Sequence, residues 1–216
     1  MSLPPPGWPI DFRTALMRAL LYVLFIGAIA QGAYLEGRYM SDLRFSEYGF
    51  VELTQTAVLT ACCVMLIYVR QVLKVWPAVT LLLFSLVASS LVREQDYFLD
   101  EYVARHTWKI LVSLIVIPSL AWVILKRHQF LDELRYYSNT FAFGLFAGGV
   151  LTTYVFSRLY GRSVFWETVL EDNYARAFKD AAEETVELFG YSLILFATLE
   201  LLLLARRIHL RPRTAP

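Results

Sequence analysis

The chain has 216 residues, 57% of them apolar and 15% aromatic, with 18% charged and a formal net charge of +1. A soluble domain averages roughly 45–50% apolar and ~25% charged, and here the apolar residues come in long runs rather than amphipathic stripes. This excludes an ordinary water-soluble globule, and a near-neutral chain without a basic stripe makes no case for a nucleic-acid partner.

The chain opens MSLPPPGWPIDFRTALMRAL, with no cleavage pattern of small residues after a short apolar core. It reads as a retained tail over 1–14 that leads into a first helix, not as a signal peptide. Six runs then reach or approach the ~20 residues that cross a bilayer: 15–35, 50–69, 76–92, 108–125, 141–156 and 186–205. The third and fifth reach full length by continuing through Arg93 and Arg158. None alternates apolar and polar residues as a membrane strand does, and inside lipid a helix satisfies its own backbone.

The expected fold is therefore an all-α polytopic membrane protein. Six transmembrane helices over 15–206 form three outward-connected hairpins, followed by a C-terminal tail over 207–216. The stretch SVFWETVLEDNYARAFKDAA repeats apolar residues at helical spacing, which predicts one interfacial amphipathic helix at about 163–182. Cys62 and Cys63 are adjacent in the second run. Neighbours on a helix diverge, so they read as small core residues rather than a disulfide or metal pair.

Six spans put both termini on one side. That side carries eleven cations, among them Arg70, Lys126, Arg127, Arg206 and Arg207 at helix ends, against three acids; the other carries nine cations and fifteen acids. Cations beside helix ends set orientation, so both termini are expected in the cytoplasm and the chain in the plasma (inner) membrane.

The first and third hairpins are alike. Tyr34 precedes Arg38 and Tyr154 precedes Arg158 by one helical turn, and Val-Glu-Leu recurs at Glu52 and Glu187. The middle hairpin keeps an arginine, Arg93, and has His106 and Lys109 where the others have glutamate. Charges at these depths avoid lipid, since a charge at the bilayer centre costs ~2.5–3.5 kcal/mol on the insertion scale. The expectation is an outward polar cluster inside the bundle: Glu52, Gln55, Arg93, Glu94, Asp96, His106, Lys109, Arg158, Glu184, Glu187 and Tyr191. Arg93, Asp96, Tyr97 and Asp100 are expected on one stripe of a continuous third helix. Glu200, within ATLELLLLARR, is a further acid inside a span.

Three functions suit such a cluster. Acids alternating with arginines suit transport or ion coupling. Arginine–glutamate pairing between helices suits assembly in a membrane complex, with a membrane-protein partner or a second copy of the chain. The alternative is a membrane-embedded enzyme acting on a lipid or lipid-linked substrate, with Glu94, His106 and Glu187 as candidate metal ligands. No catalytic motif and no resident cofactor is indicated, and His106 is the one histidine expected outward.

Overall fold

The computed structural model describes residues 11–39 and 49–210. Residues 1–10 of the N-terminal tail, the segment 40–48 with Glu47, and residues 211–216 lie outside it. Among the described residues all regular structure is helical. The helices are α1 (Phe12–Tyr39), α2 (Phe50–Tyr68) with a π-helical end (Val69–Leu73), α3 (Pro77–Glu94), α4 (Asp96–Tyr102), α5 (Thr107–Leu125) and α6 (Arg127–Tyr137). Next comes α7 (Phe141–Val150), which runs through a π-helical stretch (Leu151–Phe156) into α8 (Ser157–Tyr160). The last are α9 (Ser163–Leu170), a 3₁₀ turn (Glu171–Asn173) and α10 (Arg176–His209).

Six of these are long and apolar enough to cross a membrane: α1, α2 with its π-helical end, α3, α5, α7 with its continuation, and α10. They coincide with the six predicted runs and are longer at one or both ends, because a helix needs no apolar residues once it passes the hydrocarbon edge.

Two expectations differ from the structure. The segment about 163–182 is not one helix. α9 ends at Leu170, Glu171 takes a left-handed φ of 47°, and from Arg176 onward the chain already belongs to α10. Nor does the stripe Arg93, Asp96, Tyr97, Asp100 run along one helix. α3 closes at Glu94, and the Gln95 N–H donates back to Val92 O in a tightened turn before α4 begins. A run as polar as Arg-Glu-Gln-Asp has side chains and solvent to take over the backbone groups that such a break exposes.

The described residues form two compact units. Among the described residues, the first comprises 59–144 and 195–210. In it α3 packs along α5 and against α6. Pro77 occupies the start of α3, where its missing N–H costs nothing. The next two N–H groups, of Ala78 and Val79, donate to Glu133 Oε2 on α6 at 2.7 and 3.0 Å. Gln129 Nε2 donates to the other oxygen of Glu133 at 2.8 Å. A buried carboxylate thus caps α3 from another helix, where negative charge suits the helix dipole. Arg70 donates to Pro77 O at 3.2 Å and lies 5.4 Å from the Trp122 ring, while the exposed Arg206 lies 5.5 Å from the Tyr68 ring, so each cation has an aromatic neighbour.

Among the described residues, the second unit comprises 11–39, 49–58 and 145–194. Its core gathers Ile29, Ala33, Val51 and Leu188, with Phe25 and Ile26 against them. The Val51 N–H donates to the buried Glu36 Oε2 at 2.9 Å, so the first turn of α2 is tied to the end of α1. α7 and α10 meet through glycines. A Cβ on Gly149 would stand 2.7 Å from Ile194 Cγ1 and 2.8 Å from Gly190 O. Glycine here permits the close backbone approach usual between membrane helices.

Candidate functional site: a carboxylate-rich face of α10

The second unit concentrates carboxylates on the first turns of α10. Glu183, Glu187 and Tyr191 recur at four-residue spacing and share one face, with Glu184 beside them. Glu183, Glu187 and Tyr191 are buried and Glu184 is half-buried.

The opposing groups come from the far end of the α7–α8 run, which is wound as a π-helix over Leu151–Phe156. Such a stretch widens the turn and re-aims the side chains that follow; it is rare and recurs at functional sites. Arg158 pairs with Glu183 through one nitrogen and with Glu187 Oε1 at 2.7 Å through the other. Ser157 Oγ donates toward Glu187 Oε1 at 3.3 Å and also contacts Thr153 O. Lys179, one turn before Glu183, holds its second oxygen at 2.7 Å. Gly161 leaves room for this carboxylate, since a Cβ there would fall 2.7 Å from Glu183 Oε2.

Two buried polar atoms of this unit have no partner: Gln55 Oε1 and Thr153 Oγ1. Both residues are fully buried. Gln55 Nε2 donates to Glu184 Oε2 at 3.1 Å and to Glu184 O at 3.2 Å. Thr153 Oγ1 lies against Gly190, where any side chain would collide with it.

Of the expected cluster, Gln55, Arg158, Glu184, Glu187 and Tyr191 lie in this unit, and Glu52 is half-buried one turn before Gln55 on α2. Arg93, Glu94, Asp96, His106 and Lys109 lie in the first unit. There Arg93 pairs with its neighbour Glu94 at 2.8 Å. Asp96 is exposed as a residue, yet partial desolvation pushes its carboxyl above the ordinary range. His106 is exposed, with a left-handed φ of 69°, and its N–H is held by Asp100 Oδ1 at 2.8 Å. Lys109 is exposed and lies over its neighbour Trp108. Among the described residues no three His, Cys, Asp or Glu side chains are grouped to hold a metal ion.

Sequence reasoning missed Glu183, Glu36, Ser157 and Thr153. The signal for Glu183 was present, since it precedes Glu187 by four residues. That for Thr153 and Ser157 was not, because the π-helical turn that aims them has no pattern in the sequence.

No protein-family model, curated protein or solved structure matches the chain.

Proposed function

We propose that this is a multipass integral membrane protein of the plasma (inner) membrane, its termini cytoplasmic, whose carboxylate-rich half serves transport or ion coupling. The observation that carries this reading is the sharing of one guanidinium, Arg158, between two buried carboxylates of a helix apolar enough to span a membrane. A carboxylate pair held by a half-exposed arginine has a ready exchange: a proton or small cation takes over one acid while Arg158 keeps the other. The π-helical turn before Arg158 supplies a deformable segment for such an exchange.

Assembly in a membrane complex is the second reading, and α1 favours it. That helix buries Ile29, Ala33 and Glu36, while Phe12, Leu16, Met17, Leu20, Val23 and Leu24 are exposed. Lipid covers such a face, and so does a helix of a partner or of a second copy. A lipid-active enzyme draws less support, since His106 sits exposed in a turn and the candidate ligands Glu94, His106 and Glu187 are not grouped as a metal site.

The test is ion movement in proteoliposomes, followed with internal pH- and Na⁺-sensitive dyes, for wild type beside Glu187→Gln. Transport or coupling predicts flux under an imposed gradient that the variant loses at least tenfold. Flux at the protein-free rate in wild type overturns the reading in favour of assembly.

A further inference from the structure

We infer that a groove along the exposed side of α5 is a binding site for one membrane phospholipid with an anionic headgroup, an acyl chain lying in the groove and the phosphate on Lys109. The site belongs to the first unit and goes beyond the carboxylate exchange proposed for the second.

The groove has a volume of about 360 Å³ and is lined by Lys109, Ile110, Ser113, Leu114, Ile117 and Pro118. Clefts that take small ligands start at about 300 Å³. The six residues recur at helical spacing and so share one side of α5. Nothing in the first unit covers that side: Ile110, Leu114 and Ile117 keep 63%, 64% and 65% of their surface. The Ser113 hydroxyl donates to Lys109 O at 2.7 Å. Its polar atom is thus satisfied within the helix, and the small side chain leaves a hollow walled by carbon.

Depth and charge select the occupant. α5 is apolar and long enough to span a membrane, and Lys109 is the third residue of it. Beside it stands Trp108, a residue type that marks the membrane–water interface. From Lys109 to Pro118 the groove runs nine residues, ~14 Å along the helix. That is the depth of one leaflet, half of the ~30 Å hydrocarbon core. A partner helix would call for a groove along the whole span, whereas a phospholipid chain occupies one leaflet. At the interface end the cation is available. Lys109 is exposed, forms no ion pair with the described residues, and lies 5.5 Å from the Trp108 ring. Arg105, in the turn before α5, is exposed and adds a second positive charge at that end. The neighbouring acids are Asp100 and Glu101 on α4, and Asp100 is engaged with the His106 N–H. A cation above an apolar groove fits a phosphate joined to a hydrocarbon chain, and a headgroup of net negative charge gains most from it.

The experiment is thermal unfolding in detergent titrated with dioleoyl phosphatidylglycerol, beside dioleoyl phosphatidylcholine with the same chains. Wild type is expected to gain about 3 °C in Tm, saturably. Half of that gain is expected at about fivefold less phosphatidylglycerol than phosphatidylcholine, the worth of one cation beside an anionic headgroup. Lys109→Gln abolishes the fivefold preference. Leu114→Trp, which fills the groove from an exposed position, abolishes the saturable gain for both lipids. Equal half-saturation by the two lipids in wild type overturns the site, and so does a preference that survives Lys109→Gln. If Lys109→Gln does not fold, Leu114→Trp decides: a gain that survives it places the lipid elsewhere and overturns the site. Glycerol 3-phosphate alone is expected to leave Tm unmoved; a shift equal to that of the lipid would refute a role for the groove. A Tm that rises with protein concentration and that neither lipid moves gives the groove to a second copy of the chain and also overturns the inference.

Discussion

Arg158 Nη2 stands 2.7 Å from Glu187 Oε1, and the same guanidinium reaches Glu183 one turn earlier on α10. The arginine side chain is 46% exposed, while Glu187 retains 3% of its side-chain surface. The pair is thus asymmetric: an accessible cation holds an inaccessible acid. Arg158→Met leaves that acid without its main counter-charge. Breaking a buried pair from one side costs roughly 3–5 kcal/mol, and the exposure of Arg158 places this loss near the lower figure. Adding Glu187→Gln is expected to restore more than half of it, as read by thermal or SDS-induced unfolding in detergent.

Gly190 and Gly144 make a matched pair. A methyl group on Gly190 falls on Thr153 Oγ1 and 3.0 Å from the Thr153 backbone nitrogen, whereas one on Gly144 meets nothing within 4 Å. Gly190→Ala is expected to cost about 1–3 kcal/mol by overpacking. Gly144→Ala is expected to be neutral or to gain up to ~1 kcal/mol from helix propensity. Parallel melting curves check the contrast, and equal effects would refute the close α7–α10 approach.

Glu133 ties two helices together. It caps α3 through Ala78 and Val79 and is itself held by Gln129. Glu133→Ala orphans two N–H groups at a buried helix start, at a cost of about 1–3 kcal/mol. Glu133→Gln keeps one acceptor oxygen and is expected to lose less than half as much.

Asp96 gives a pH dependence. Asp96 is exposed as a residue, but partial desolvation raises its carboxyl above the ordinary value of 3.8; the Tyr97 backbone bond lowers it, Glu94 and Asp100 raise it further, and Arg93 lowers it. The folded state therefore binds this proton more tightly than the unfolded chain. Stability falls as pH rises from the unfolded value, ~3.9, through the raised folded one, the reverse of a salt-bridged acid. Asp96→Asn removes the descent. The variant is expected to match wild type below about pH 4 and to melt higher at neutral pH, in a Tm-against-pH series in detergent.

The six spans were legible because long apolar runs are a direct consequence of the hydrocarbon thickness. Arg93 and Arg158 as the ends of short runs were legible for the same reason. The break at Gln95 was not, because its polar neighbours fit a helix stripe as well as a turn. α6 was hidden by its polarity, and with it the role of Glu133, which depends on a contact 55 residues away in sequence. On α10 the stripe containing Glu187 was readable, and so was the company of Gln55 on α2. Pairing of a helix-end arginine with a glutamate that opens the next span was also an expectation, whereas the π-helical stretch between Leu151 and Phe156 that precedes Arg158 has no pattern in the sequence. On α1 Arg38 does bond Tyr34, at 3.0 Å, whereas Arg158 crosses to α10. Hairpins alike in sequence thus use their arginines differently.

The central claim is that Glu183 and Glu187 exchange Arg158 for a proton or small cation. Infrared difference spectroscopy of the reconstituted protein, during pH or Na⁺ jumps between pH 5 and 9, tests it most directly. The account predicts a carboxyl or carboxylate band in wild type that is missing in Glu187→Gln. A wild-type spectrum without such a band under either jump would contradict it and leave the three side chains as a static clamp between helices.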